Sequence, residues 1–295
     1  MFLAAIALLA SPTGSVTGFV KDPSGAVVPG ARITLTSLST NIRQQTTSDG
    51  FGGFQFLQLA PAEYRLVVEA QGFKKTSTGS VVVQVDQITR LDITLELGAV
   101  TEVVEVSGAT PLLEPDKTSM GSVVDSRVIS SMPLNARQFL DLALLTPGVL
   151  PAALGVQGGN SSFNVAGARS QSNVYLLDGV SNMDTQINAP LNNFRVADAV
   201  QEFNVQTSVA LPEFGRGTGA QVNIVTRSGT NRFHGSAYEY LRNTRLDAAD
   251  FFTNKLGGSK NQLMRNQFGA TFGGPIRRDQ TFFFLAYEGF RQVNP

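Results

Sequence analysis

Apolar residues recur at every second position in short runs along this 295-residue chain, and turn-forming residues separate the runs. Ile33 and Leu35 alternate with polar residues, and residues 91–97 alternate without interruption. Such period-two alternation predicts strands with one buried and one hydrated face. Segments such as Asp22-Pro23-Ser24-Gly25 supply turns between the runs. The sequence therefore predicts a mainly β fold with a small α+β part.

The composition is weakly charged and electrically balanced. Charged residues make up 16% of the chain, below the roughly 25% of ordinary soluble proteins. The 23 basic and 23 acidic residues cancel, and no Lys/Arg run stands out. This pattern lacks the basic footprint that nucleic-acid binding requires, so we expect no nucleic-acid partner. The absence of Cys from the sequence excludes disulfides, zinc-thiolate sites and thiol nucleophiles.

Catalytic motifs are equally scarce. His234 is the single histidine of the sequence, so no catalytic set or metal site can be assembled around a second one. Residues 215–219 form a glycine-rich segment, but the Lys-Ser/Thr pair of a phosphate loop does not follow it. We therefore expect a protein that is not an enzyme and that holds no cofactor or metal.

Residues 2–10 form an apolar run that ends in Ala10-Ser11-Pro12. The run is too short for a membrane-spanning helix, which needs about 20 residues. Its length and its small-residue end fit a signal peptide, although the usual preceding Lys/Arg is missing. We interpret residues 1–13 as the remnant of a signal peptide; an ordinary buried segment is the alternative. Any membrane span in this chain must then be a β-strand.

Residues 14–98 contain about six or seven alternating runs, which predict a small β-sandwich. Residues 18–25, 28–31 and 53–56 resemble the carboxypeptidase regulatory-like domain. The resemblance implies a transthyretin-like sandwich of the carbohydrate-binding-like group. It implies no peptidase activity, and it leaves open whether the domain is purely structural or binds sugar.

Residues 111–231 mix helices and strands. Residues 125–131 predict a short helix stopped by Pro133, and residues 136–145 predict a longer one with Asn135 as its N-cap. Further along, residues 164–169, 174–180 and 200–205 predict strands. In order and spacing these segments resemble the plug domain of TonB-dependent outer-membrane receptors.

The strongest resemblance lies in residues 213–235, which match the end of such a plug and its step into the barrel. Ser228-Gly229-Thr230-Asn231 and Phe233-His234-Gly235 look most like the Oar-like branch of these receptors. The resemblance implies that residues 111–231 are a plug domain and that residues 232–295 begin a β-barrel.

Residues 232–295 have the pattern of outer-membrane strands. Phe268, Ala270 and Phe272 alternate with small or polar residues, as lipid-facing and lumen-facing positions do. Barrels of these receptors close with about 22 strands, each of about 9–11 residues. The 64 residues from position 232 supply about three. We therefore expect an incomplete, truncated barrel that cannot transport on its own, because open strand edges are not tolerated in lipid.

Residues 99–110 predict a hinge between the sandwich and the plug. Within it lies a short β-prone segment that resembles a TonB box: Thr101, Glu102, Val103, Val104, Glu105, Val106 and Ser107. Such a segment pairs as an added strand with a periplasmic energy-coupling protein of the TonB type, which would be the partner of this chain. The alternatives are a last strand of the sandwich or a plain linker.

The resemblance implies a transport function. The chain would be the N-terminal part of a TonB-dependent outer-membrane receptor for active uptake of an unidentified small-molecule, glycan or peptide substrate. It would lie in the outer membrane with its N-terminal domain in the periplasm. The alternative is a secreted or surface sandwich protein that binds a glycan or protein, which outward-facing Tyr64, Phe51 or Phe73 would favour.

Overall fold

A computed structural model describes residues 13–98, 103–106, 121–152, 163–184, 186, 188–191, 196–207, 218–260 and 262–293. Residues 1–12 of the predicted signal peptide lie outside the described residues. So do residues 215–217 of the glycine-rich segment. The fold is mainly β, as the sequence predicts, and two short α-helices occur among the described residues. None of the helices in this part of the chain is long and apolar enough to cross a membrane.

The N-terminal domain is a sandwich of two sheets. The first has the order β4-β1-β8 with β9 also paired to β1, and the second has the order β10-β6-β5-β2-β3 with β7 also paired to β5. The strands are β1 (Gly14–Lys21), β2 (Arg32–Ser37), β3 (Arg43–Thr47), β4 (Gly53–Leu59), β5 (Ala62–Glu69), β6 (Lys75–Thr78), β7 (Val81–Val83), β8 (Ile88–Arg90), β9 (Ile93–Thr94) and β10 (Val103–Val106).

Alternate residues of the strands meet between the two sheets and form the sandwich core. Val16 and Val20 of β1, Ile33 of β2 and Leu66 of β5 are fully buried there. The alternation over residues 91–97 produces less strand than it predicts, because β9 contains only Ile93–Thr94. Leu95 still packs in the core, whereas Leu97 is mostly exposed, so the buried face ends before the run does.

The middle domain has a five-stranded sheet of order β11-β18-β19-β14-β15 and two small two-stranded sheets, β12-β13 and β16-β17. Its helix α1 (Ser126–Ser131) begins at Asp125, whose carboxylate accepts hydrogen bonds from the Arg127 and Val128 amides and caps the helix. The strands are β11 (Gly121–Asp125), β12 (Val149–Pro151), β13 (Phe163–Val165), β14 (Val174–Leu177), β15 (Val180–Ser181), β16 (Met183–Asp184), β17 (Ala189–Pro190), β18 (Val200–Gln206) and β19 (Gln221–Thr226).

The predicted helix over residues 136–145 is wrong in its type and its start. The structure has two 3-10 segments, Asn135–Arg137 and Phe139–Leu145, and Asn135 caps neither. Ala136 and Arg137 both take positive φ angles, which an α-helix cannot contain. Phe139, Leu140, Leu142 and Ala143 are buried. Phe139 and Leu142 therefore pack in the core, whereas Leu145, three residues further along, is mostly exposed.

The C-terminal part is a meander of three long antiparallel strands in the order β20-β21-β22. Strands β20 (His234–Asn243) and β21 (Met264–Arg277) are joined by a long connection that contains α2 (Phe251–Lys255). Strand β22 (Thr281–Val293) follows β21 through a tight turn at residues 278–280. Gln267 and Thr271 are buried on one face, and Phe272 is exposed on the other. The predicted alternation of two unlike faces is therefore present.

Candidate coupling segment and domain junctions

The predicted TonB box contains a strand that belongs to the sandwich sheet, which is the arrangement of the alternative, a last strand of the sandwich, and not that of a separate hinge. Val103–Val106 forms β10 and pairs in parallel with β6 of the sandwich, with Val103 opposite Lys75 and Val106 opposite Thr78. Thr101, Glu102 and Ser107 lie outside the described residues. Strand β10 is the last strand of its sheet, and no described strand pairs with its other edge. The segment thus has an extended backbone with one edge bonded and one edge open.

Strand β6, with which this segment pairs, is itself held in the sandwich by burial and by hydrogen bonds. Its Thr76 and Thr78 are buried, and the Thr78 hydroxyl bonds to the backbone of Leu66 in β5. At the start of β6, the Lys75 ammonium lies 2.7 Å from the Glu69 carboxylate. Because β6 is fixed to the sandwich on its inner side, β10 rests on an edge that already belongs to a folded domain.

A second junction joins the sandwich to the middle domain. Residues 84–87 form a turn between β7 and β8, and this turn contacts the five-stranded sheet. The Val85 amide donates a 2.6 Å hydrogen bond to Oε1 of Glu202 in β18. The side chain of Asn223 in β19 donates to both carboxylate oxygens of Asp86, at 3.0 and 3.1 Å. Asp86 has a φ of 54°, and its carboxylate reaches the middle domain.

Burial changes the acidity of Glu202. Its side chain is almost fully enclosed, and desolvation is the main cause that raises its pKa to about 7. The hydrogen bond from Val85 opposes this shift, whereas the nearby carboxylates of Asp125 and Asp86 add to it. The carboxyl group at this junction therefore exchanges its proton near neutral pH.

The sheet face around Glu202 is polar and nevertheless buried. Asn204 and Gln206 of β18 lie beside Asn223 and Gln221 of β19 across the strand pair. All four side chains are at most 3% exposed. Among the described residues, seven of their amide oxygen and nitrogen atoms have no hydrogen-bond partner.

A third junction ties the sandwich to the start of β20 and to the turn before β22. Asn231 donates from its backbone to the Ser39 carbonyl at 3.0 Å and from its side chain to Asp279 at 2.8 Å. The Asp279 amide donates back to the Asn231 side chain at 2.8 Å. Asn41 of the sandwich also donates to Asp279, at 2.9 Å. One asparagine of the Ser228–Asn231 motif therefore connects all three parts of the chain.

The glycine of the same motif is a site of close approach. A Cβ atom at Gly229 would overlap the carbonyl oxygens of Phe283 and Gly274, which belong to two neighbouring strands. Only glycine lets the chain pass this close to the backbone of β21 and β22. The Ser228-Gly229-Thr230-Asn231 motif therefore has a packing role and a hydrogen-bonding role at the step from the middle domain to β20.

The middle domain also contacts one face of the three long strands, the face that carries Gln267. Arg137 stacks over Tyr238 and Tyr240 with its guanidinium 4.5 and 4.7 Å from their ring centres. The same guanidinium pairs with Asp198 at 3.0 Å, and both side chains are largely buried. The Asn135 amide oxygen accepts from Arg242 and Arg265. Positive φ at residues 136 and 137 thus places this tight turn against the strands.

Outward-facing Tyr64, Phe51 or Phe73 would favour a sandwich that binds a glycan, and these three residues differ in exposure. Tyr64 is buried and its hydroxyl bonds to the Ala60 carbonyl, whereas Phe51 is largely exposed and Phe73 is half-buried. Phe19 lines a shallow cavity of about 500 Å³ on the sandwich, and the Arg90 guanidinium lies 5.6 Å from its ring centre. Of the three aromatic residues named for this test, the exposed Phe51 favours the binding alternative and the buried Tyr64 does not.

Sequence reasoning missed Glu202, Asp86 and Asp279. Polar residues at alternate positions of β18 and β19 predict a hydrated sheet face, and the structure buries that face under the sandwich turn. The alternation of Glu202, Asn204 and Gln206 with Phe203 and Val205 was the available signal. It identifies the second face, but it cannot say what covers it.

Comparison with known proteins supports the resemblance on which the functional interpretation depends. Residues 15–96 match a carboxypeptidase regulatory-like domain, and residues 225–295 match an outer membrane beta barrel domain. The TonB-dependent transporter Oar of Myxococcus xanthus is 33% identical over 275 residues, or 88% of this chain. The chain is homologous to a TonB-dependent transporter. It spans 25% of the length of that curated relative.

Two solved structures also match. The siderophore receptor PirA from Acinetobacter baumannii matches 58% of this chain and 24% of its own, at 20% identity with a TM-score of 0.46. The outer membrane transporter YddB from Escherichia coli matches 59% of this chain and 26% of its own, at 16% identity with a TM-score of 0.46. The barrel-domain match over residues 225–295 and the similarity to Oar support an outer-membrane location for this chain.

Proposed function

We propose that this chain is the N-terminal part of an outer-membrane transporter and that residues 101–107 receive a periplasmic energy-coupling protein of the TonB type. One observation carries the proposal. In a chain homologous to a TonB-dependent transporter, β10 is an extended strand with an open edge. A strand of this kind binds a partner by backbone pairing, which needs no particular side chains beyond β-prone ones.

The middle domain acts as the plug in this proposal. Its tight turn at Asn135 and Arg137 packs on the face of β20 and β21 that carries Gln267, the predicted lumen side. Polar contacts such as those of Asn135 with Arg242 and Arg265 suit a domain that must move inside a barrel, because water can replace them. Force applied at residues 101–107 reaches the plug through the chain that follows.

The sandwich lies on the periplasmic side in this proposal. Short turns of outer-membrane barrels face the periplasm and long connections face outward. The turn before β22 is short, and the sandwich contacts it through the bonds of Asn41 and Asn231 to Asp279. The energy comes from the inner membrane, and the substrate that moves is not identified by any residue described above.

The test is binding of a purified TonB-type periplasmic domain to the chain in detergent, measured by calorimetry. We expect binding that Val104→Pro abolishes, because proline removes a backbone donor and fixes φ. The matched control Val104→Ala keeps every backbone group and should bind as the unaltered chain does. Equal binding by all three forms, or binding by none, would refute the proposed function.

A further inference from the structure

Strand β10 of the coupling segment lies at one edge of the second sandwich sheet, and the two edges of this sheet differ in sequence. At the far end lies β3, whose sequence Arg43-Gln44-Gln45-Thr46-Thr47 is polar throughout and exposed except at the half-buried Thr46. At the near end lies β10, whose sequence is Val-Val-Glu-Val. Proteins normally protect a sheet edge with charged or polar residues, because an apolar open edge invites a further strand. By this rule β3 is protected and β10 is open to addition.

We propose that the sandwich is a cradle for the coupling segment: β6 holds residues 103–106 as a preformed strand, and the partner's strand adds to the outer edge of β10. This inference rests on the proposed function and goes beyond it by giving the sandwich a role in coupling. A strand has two hydrogen-bonding edges, and β6 occupies only one of them. Partner binding then leaves the β6–β10 pairing in place and extends the sheet by one strand.

Pairing with β6 fixes the backbone of β10 before the partner binds. A segment that is free in a linker loses about 1–2 kcal/mol per residue of conformational entropy when a partner fixes it as a strand. Strand β10 is already fixed by the sandwich, so the partner need not impose that order. A preorganised strand should therefore bind more tightly than the same residues in a free peptide. The rival arrangement, in which the partner must first displace β6, predicts the reverse order of affinities.

The first experiment compares two probes for one TonB-type periplasmic domain. One is the intact chain, and the other is a synthetic peptide of residues 101–107 with blocked ends. We expect the chain to bind at least about tenfold more tightly than the peptide, because the cradle removes part of the ordering cost. Tighter binding by the peptide would overturn the cradle while leaving the proposed function intact. Failure of both probes to bind would refute the proposed function itself.

The second experiment locks the strand pair covalently. The chain has no cysteine of its own, so a Ser77→Cys, Glu105→Cys double variant carries a single possible disulfide at registered positions of β6 and β10. The matched control, Lys75→Cys with Glu105→Cys, is offset by two residues. Registered neighbours lie about 5 Å apart and the offset pair about 8 Å apart, and a disulfide cannot form when the Cα atoms lie beyond about 7 Å.

The disulfide between β6 and β10 distinguishes a partner that adds to β10 from a partner that displaces β6. We expect the registered pair to oxidise readily, the offset pair to oxidise poorly, and the locked chain to bind the partner as well as its reduced form. Loss of binding on oxidation, with recovery on reduction, would show that the partner replaces β6 and would overturn the cradle. Equal oxidation of both pairs would show that β10 does not hold this register, which would also overturn it.

Discussion

The buried carboxyl of Glu202 makes the stability of the middle domain depend on pH. Its folded-state pKa is raised from an ordinary 4.5 to about 7. The folded chain therefore binds more protons than the unfolded chain between these two values, and stability falls as pH rises through this window. A shift of this size corresponds to about 3 kcal/mol at 1.36 kcal/mol per pKa unit. The destabilisation that comes from ionising the buried Glu202 carboxyl is fully present above pH 7 and is absent below about pH 4.5.

Glu202→Gln removes this dependence. The glutamine is neutral at every pH, and its side-chain oxygen can still accept the hydrogen bond from the Val85 amide. We expect the variant to be more stable than the unaltered chain by up to about 3 kcal/mol at pH 8 and to match it near pH 4.5. Denaturant unfolding in detergent, followed by circular dichroism at both pH values, measures the difference.

The matched control is Glu63→Gln, which neutralises an exposed carboxylate of the sandwich. It should change stability by less than about 0.5 kcal/mol at either pH. Other titrating groups are common to the compared chains, so they cancel in the difference. The reasoning would be refuted if Glu202→Gln gave the same change at pH 4.5 and pH 8, or if it were destabilising at pH 8.

Three further predictions concern the other junctions. Gly229→Ala should lower stability by more than about 2 kcal/mol, because the added Cβ overlaps backbone oxygens of β21 and β22; urea unfolding checks this, and an unchanged midpoint would contradict it. Asn231→Ala should loosen residue 231 from the turn before β22, because it removes both side-chain hydrogen bonds to Asp279 and leaves the backbone bond to Ser39 in place. Limited proteolysis should report this as faster cleavage near residue 231, whereas the control Asn254→Ala should not change the cleavage rate. Arg137→Ala should lower the free energy of unfolding by about 3–5 kcal/mol, because it leaves Asp198 as an unpaired buried charge. Adding Asp198→Asn should recover part of that stability. No recovery in the double variant would argue against the ion pair.

The alternation of apolar residues was sufficient to predict the sandwich and the two unlike faces of the long strands. Ile33, Leu66 and Val68 lie in the core where period two places them. The pattern was less reliable at the end of the domain, because Leu97 continues the alternation without a second sheet to cover it. Local pattern predicts which face is apolar, and tertiary contacts decide where that face ends.

The helix predicted over residues 136–145 failed for a related reason. Phe139 and Leu142 reach the core, so the apolar spacing was informative in part, but Leu145 is mostly exposed. The backbone at residues 136 and 137 is instead shaped by the contacts of Asn135 and Arg137 with β20 and β21. Those contacts join residues more than 100 positions apart in the chain. No local signal in the sequence reports them.

The junctions were beyond sequence reasoning altogether. Asp86 meets Asn223 across 137 positions, and Asn41 meets Asp279 across 238. The motif that contains Gly229 and Asn231 was recognised by resemblance, and the structure supplies its physical reason. The glycine permits close approach, and the asparagine bonds to two other parts of the chain.

The central claim is that residues 101–107 engage a TonB-type protein, and the most direct measurement is disulfide trapping in energised cells. Single cysteines at Val103, Val104, Glu105 and Val106 would be combined with one cysteine in the partner's periplasmic domain. The account predicts a trapped complex that is strongest at alternate positions of the segment, as expected for a strand beside a strand, and none from an exposed control position such as Thr47→Cys on β3. Equal trapping at Thr47, or none at any of the four positions, would contradict it.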